Sequence, residues 1–200
     1  MEAIIMGYHV AFEGFDGVGK SSAAKAFAKE MGWYFVEKPL AAFTDPEGGT
    51  KNYRAFVDHV NKTADLECRA LIYGAGTYIT SQMAAKKNIT TDRHLCSMYS
   101  INYTGQNEAF FDYLIERCGK PTLTVILHAD SEVRRQRILK RNPNDPDLKK
   151  VFLPFDHIKL VKFVERYDMP HIIIDNTNIS IDETVQIVKE ELKRGKRITA

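Results

Sequence analysis

Residues 14–21 read GFDGVGKS, a G-x-x-x-x-G-K-S spacing, and this stretch limits the fold more than any other part of the chain. Such a loop works where a strand feeds it and a helix leaves it, so that backbone N–H groups and the helix dipole converge on an anion. Both neighbours fit. The apolar run from Tyr8 to Phe12 reads as the strand. From Lys20 to Met31 the residues Ala24, Phe27, Ala28 and Met31 recur at i, i+3, i+4 and i+7, the stripe a helix needs to cover a sheet. The candidate cradle is therefore Gly14, Asp16, Gly17, Val18, Gly19, Lys20, Ser21 and Ser22. Its glycines let the backbone wrap a phosphate. Lys20 is expected on the terminal phosphates and Ser21 in the shell of a magnesium ion, so the first functional expectation is a bound magnesium nucleotide.

Four further apolar runs of strand length, 33–36, 88–91, 122–128 and 171–175, are separated by helix-length segments, which rules out hairpins between them. The expected fold class is α/β: a three-layer P-loop fold with a five-stranded, mostly parallel sheet flanked by helices. The last helix, about 181–194, opens with Ser180 and Glu183 at capping-box spacing and closes on basic residues and Gly195. Two hundred residues suit one domain, 1–200. With 28 Lys and Arg against 26 Asp and Glu, the net charge of +2 gives no polyanion-coating surface, so no nucleic-acid polymer is expected as a partner. Cys68, Cys96 and Cys118 lack disulfide-scaffold or zinc spacing. No basic leader precedes the first strand and no run nears the ~18 apolar residues of a membrane span, so the expectation is a cytoplasmic chain without membrane association.

A phosphate cradle serves kinases, GTPases and regulatory ATP-binding proteins alike. The residues 45–48 (DPEG) and 61–65 (NKTAD) echo GTPase motifs, but they sit close together in loop and helix, and the second misses by one residue. A different pair stands at the right place. The third strand ends in Thr91, Asp92, Arg93 and His94, beside the first loop at the carboxyl edge of the sheet, where ligands gather. Arg93 offers a planar fork for a second phosphate; Asp92 is a candidate for a magnesium-bound water or for orienting the acceptor. Glu37, ending the second strand, is either a second acceptor-side carboxylate or the polar end of an edge strand. Arg134, Arg137 and Arg141 share one helix face ahead of the breaker-rich segment 142–147, which predicts an arginine-rich lid at about 134–150.

The segment 11–22, AFEGFDGVGKSS, resembles the first motif of thymidylate kinases, F-E-G-x-[DE]-G-x-G-K-[ST]-[ST]; 92–97, DRHLCS, resembles their D-R-x-x-x-S, and 130–141 their pre-lid arginine pattern. The resemblance implies an ATP- and magnesium-dependent kinase acting on a nucleoside monophosphate, most naturally dTMP, and a homodimer paired through helices near 56–84. It places Asp16 near the acceptor sugar's 3′-hydroxyl, Arg93 on the acceptor phosphate, Ser21 and Asp92 in the magnesium shell, and Ser97 and Asn102 in the acceptor pocket. Where some members carry a catalytic arginine inside the loop this chain has Gly17, so the charge falls to Arg137 or Arg141. The arginine that reads thymine in the family is replaced by Thr77, and its A-Y-Q by Ser100, Ile101 and Asn102. Asn102 offers a donor and an acceptor, so another pyrimidine is open; a deoxynucleoside kinase and a non-catalytic ATP-binding protein are the alternative readings. Leu66, Ala70, Tyr73 and Thr77 form the apolar series expected at the dimer contact.

Overall fold

The apolar runs become five strands, β1 (His9–Gly14), β2 (Tyr34–Val36), β3 (Ile89–Asp92), β4 (Leu123–His128) and β5 (His171–Asp175), in a computed structural model that describes residues 7–152 and 157–198. Their order is β2-β3-β1-β4-β5 and every pairing is parallel. β1 starts one residue later than expected, because the N–H of Tyr8 turns to the Asn88 side chain, and it runs two residues further, because Glu13 and Gly14 pair with Ile126 and Leu127. The connecting helices are α1 (Lys20–Met31), α2 (Ala41–Thr44), α3 (Lys51–Thr63), α4 (Leu66–Ala84), α5 (Leu95–Asn102), α6 (Glu108–Cys118), α7 (Ser131–Arg141), α8 (Ile158–Arg166) and α9 (Ile181–Ile198), with a 3₁₀ turn at Pro146–Lys150.

β1 and β4 are covered on both faces, so they read as continuous apolar runs rather than alternating ones. α1 lays Ala24, Phe27 and Ala28 on the sheet, with Met31 half-buried at its end; burying Phe27 alone is worth roughly 2–3 kcal/mol. Gly32, left-handed at φ 66°, ends the helix by returning its N–H to the carbonyls of Ala28 and Lys29. At α9 the capping box forms as expected: Ser180 N–H donates to the Glu183 carboxylate and Glu183 N–H to the Ser180 hydroxyl. The GTPase-like residues are helix caps. Asp45 accepts the N–H groups of Asn52 and Tyr53 at the start of α3, and Asp65 accepts that of Cys68 at the start of α4.

The series Leu66, Ala70, Tyr73 and Thr77 does not form an outward stripe. Ala70 and Thr77 are buried and Tyr73 lines an open cavity, because α4 turns that side toward α5. Its exposed apolar residues are instead Leu71 and Tyr78, one heptad apart, with Leu66 at the helix start. Among the described residues no helix is long and apolar enough to cross a membrane. The chain leaves the central β1 toward β2 and β3, then crosses back to β4 and β5. That reversal opens a crevice at the carboxyl ends of β1, β3 and β4.

Candidate active site

The loop after β1 is clamped from outside. Asn176, just past β5, donates its Nδ2 to the Val18 carbonyl at 2.6 Å; Arg137 donates to the Asn176 carbonyl at 2.7 Å and to Val18 O at 3.4 Å; Arg134 Nε donates to Asp16 O at 2.9 Å. Fixing the carbonyls fixes the peptide planes, and with them the directions of the N–H groups that an anion would meet. Gly19 begins α1 at φ 95°, a conformation that L side chains disfavour. Lys20 is buried, its ammonium donating to Phe15 O at 2.8 Å. Burial, and then the charge of Arg93, push its pKa down to about 8, against the pull of Asp92, Asp16 and Glu13.

At the end of β3 the two charged residues face different partners. Asp92 accepts a hydrogen bond from the Ser21 hydroxyl through Oδ2, while its Oδ1 is buried with no partner among the described residues. An open carboxylate oxygen beside a hydroxyl is a donor set that suits a hard divalent cation such as magnesium. Arg93 reaches across to the cradle, with Nη2 2.5 Å from Asp16 Oδ1 and Nη1 3.4 Å from Ser97 Oγ. Its backbone is left-handed, φ 72°, and is held there by the bond from its N–H to Phe12 O. Such strain in a non-glycine residue costs roughly 1–2 kcal/mol and clusters at working sites.

Glu13 was not among the sequence candidates, although an acid inside a central apolar strand is the signal that finds it. Fully buried, it accepts the N–H groups of His94, Cys96 and Ser97 at 2.9, 3.1 and 3.2 Å and also the Ser97 hydroxyl. It thereby caps α5 and carries the polypeptide that follows Arg93 into place. Burial pushes its carboxyl pKa up; the Ser97 hydroxyl and the charge of Arg93 work against that push.

Beyond Arg93 lies a cavity of about 330 Å³ between α3, α4, α5 and the segment after β2, of a size that holds a small ligand. It gathers Glu37, Arg93, Ser97 and Asn102, together with Arg69 and Tyr53, which the sequence reading passed over. Gly76 lets Pro39 and Leu40 close one wall, since a Cβ there would lie 3.2 and 3.1 Å from their side chains. Burial alone would raise the pKa of Glu37, but Lys38 and Lys25 more than offset it and hold the carboxylate low. Asn102 is partly committed. Its Nδ2 donates one N–H to Met98 O at 2.9 Å, and because a carbonyl only accepts, the amide cannot be turned round. Its Oδ1 is buried and unpartnered among the described residues, an open acceptor beside the second N–H of the amide. The Thr77 hydroxyl is spent on Tyr73 O.

Arg134, Arg137 and Arg141 do share a face of α7, but the stretch read as the start of a lid is a helix laid against the cradle. Arg134 is buried, and Arg134 and Arg137 are bound to the backbone as described; burial lowers both pKa values. Arg141 pairs with Asp145 at 2.6 Å and with Asp147 at 3.5 Å, and Asp145 raises its pKa. Of the expected lid, 134–141 is thus packed helix, and the irregular chain begins only at Asn142.

Comparison with known proteins is consistent along the chain. Residues 12–188 match the family model described as thymidylate kinase. A probable thymidylate kinase of Methanocaldococcus jannaschii is 27% identical over 181 residues, covering 87% of this chain and 89% of that protein. The thymidylate kinase of Staphylococcus epidermidis is 28% identical over 201 residues, covering 90% and 95%. Among solved structures, the thymidylate kinase of Ehrlichia chaffeensis superposes with a TM-score of 0.61 at 17% identity, over 93% of this chain and 98% of that one. A deoxyadenosine kinase of M. mycoides, solved with dCMP and a flexible dCDP, gives 0.60 at 14% identity, over 93% and 99%. These two likenesses establish the fold.

Proposed function

The chain belongs to the thymidylate kinase family, and from that membership we propose that it transfers the γ-phosphoryl group of ATP to the phosphate of dTMP. One observation carries the reading: the Arg93–Asp16 pair joins the phosphate cradle to a cavity of nucleotide size. Phosphoryl transfer asks the protein mainly for positioning and for charge around the moving group. The cradle's N–H groups and Lys20 hold the donor phosphates. Ser21 and Asp92 would hold magnesium, which supplies charge neutralisation at the transferred group when bound. Arg93 binds the acceptor phosphate, and in doing so exchanges Asp16 for it; Asp16 is then released toward the sugar hydroxyl. Glu37, Ser97 and Asn102 complete the acceptor side. Arg141, exposed and tied among the described residues only to the carboxylates of Asp145 and Asp147, has more freedom than Arg137 to meet charge on the moving phosphoryl group.

A coupled assay against the common nucleoside monophosphates, their deoxy forms and the free nucleosides tests this. dTMP is expected to turn over fastest and every nucleoside to lag behind it. Arg93→Ala should raise the acceptor KM by about 10–100-fold, the worth of a charged hydrogen bond. Replacing Arg137 and Arg141 together should act on kcat, with about 3 kcal/mol added to the barrier. A nucleoside faster than every monophosphate overturns the assignment of Arg93; an unchanged kcat removes the arginines of α7 from the chemistry.

The proposal extends to a homodimer in which a second copy covers the Leu71 and Tyr78 face of α4. Light scattering at micromolar concentration should give twice the monomer mass, and Tyr78→Glu should give the monomer. A monomer in the unaltered chain refutes the dimer.

A further inference from the structure

Arg141 closes α7, and the chain that follows folds back on the end of the helix. Asp145 N–H returns to Asn142 O at 3.1 Å, Pro146 opens the 3₁₀ turn, and Val151 is buried just beyond it. Asp145 organises this return. Through Oδ1 it accepts the Asp147 N–H at 3.0 Å, capping the turn, and through Oδ2 it accepts Arg141 Nη2 at 2.6 Å. Burial pushes its carboxyl pKa up, but the Asp147 N–H and Arg141 more than offset that push and hold it low. The two partners are unequal. The Asp145 side chain is 11% exposed and that of Arg141 58%, so the aspartate is the fixed post and the guanidinium is the member free to leave.

We infer that Asp145 is a positioning residue for phosphoryl transfer, a post that holds Arg141 off the donor phosphates until their charge draws it away. The helix itself is pinned, since Arg134 and Arg137 are bonded to the backbone of the loop and of Asn176, so the arginine at its end swings without α7 moving. The bond from Asp145 raises the Arg141 pKa, burial opposes it, and the charges of Asp147 and of Asp16 in the cradle add to the rise. The guanidinium thus stands within electrostatic reach of the phosphate site. Asp147 Oδ2 lies 3.5 Å from the same Nη2, so two carboxylates compensate one cation, and both repel an arriving polyphosphate. Carboxylate and phosphate oxygens compete for one planar fork, and nucleotide must displace the ion pair to gain the arginine. A pair this open is worth little by itself, which suits a contact made to be exchanged. The inference rests on the reading of Arg141 as the arginine that meets the moving phosphoryl group, and it gives the acidic segment after α7 a part in that reaction.

The test is a double-mutant cycle, read by calorimetric binding of magnesium ATP to the full chain without acceptor. Asp145→Asn keeps the cap, because the amide oxygen still accepts the Asp147 N–H, and removes the charge that holds Arg141. It should tighten ATP binding by about 2–5-fold, the range of one partly exposed ion pair, and the same change in an Arg141→Ala background should leave affinity nearly where it was. Damage to the turn would act the other way and weaken binding. Asp147→Asn, at the longer distance, should tighten it by less than Asp145→Asn does. No tightening in Asp145→Asn overturns the inference. So does equal tightening with and without Arg141, since that reports only a carboxylate removed near a polyanion; the kinase reading survives either result. A coupled tightening in a chain that phosphorylates no monophosphate would sink the kinase reading and leave the post in place. The melting temperature of each variant separates these outcomes from misfolding.

Discussion

Lys20→Ala is expected to lower phosphoryl transfer by at least about 10²–10³-fold, the scale of losing one preorganised donor to developing charge. Lys20 is buried against the Phe15 carbonyl, so the alanine variant removes both the ammonium and the group that spans the cradle. The same residue makes nucleotide affinity depend on pH. Burial and Arg93 lower its pKa to about 8 in the ligand-free chain. Phosphate oxygens favour the ammonium form, so binding raises the pKa. The sign follows from that: affinity is full below pH 8 and falls as pH rises above it, by roughly tenfold between pH 7 and 9. Calorimetry of ATP binding across that range should show the fall, and Lys20→Arg should abolish the slope because a guanidinium does not titrate there. A flat profile in the unaltered chain would show that the ammonium is not in the phosphate contact.

Glu13→Gln should cost about 3–5 kcal/mol of stability, although it keeps the shape of the side chain. Four donors converge on that carboxylate. An amide would place an N–H₂ among them, leaving buried donors facing each other. For a chain of this length the loss corresponds to a fall of roughly 6–15 °C in melting temperature. Activity should fall with it even well below the melting point, since His94, Ser97 and the start of α5 follow directly on Arg93. A thermal melt within 2 °C of the unaltered protein would mean that Glu13 is already protonated or solvated.

The cradle and sheet were legible in the sequence because each rests on local rules: glycine at turns that need positive φ, apolar runs of strand length, and a helix stripe at 3.6-residue spacing. Asp92 and Arg93 were found for a related reason, since position at a strand's carboxyl end is implied by topology. What the sequence hid depends on pairing across distance. Arg134 and Arg137 stood out as an arginine-rich face, but nothing local says that their partners are carbonyls of residues 16, 18 and 176 rather than phosphates. That Met98 O takes one of the two N–H groups of Asn102 was likewise out of reach. Arg69 carried no motif at all. The series on α4 failed as a dimer surface because helix periodicity identifies a shared face without saying which side of the molecule that face meets.

The packing of α7 on the loop also bears on how this chain relates to kinases that keep an arginine inside it. At Gly17, φ is 84° and a Cβ would come within 2.7 Å of the Arg134 carbonyl. An arginine introduced there would have to push α7 outward and give up the bonds that Arg134 and Arg137 make to the loop. The two placements of positive charge therefore exclude one another in space, and a lineage passing between them could not do so by one tolerated substitution. A paired change is needed, with α7 retreating before or as the loop gains its side chain. The gap between the two versions is a valley in sequence space, dug by the close approach of the Arg134 backbone and by a φ that L side chains rarely adopt.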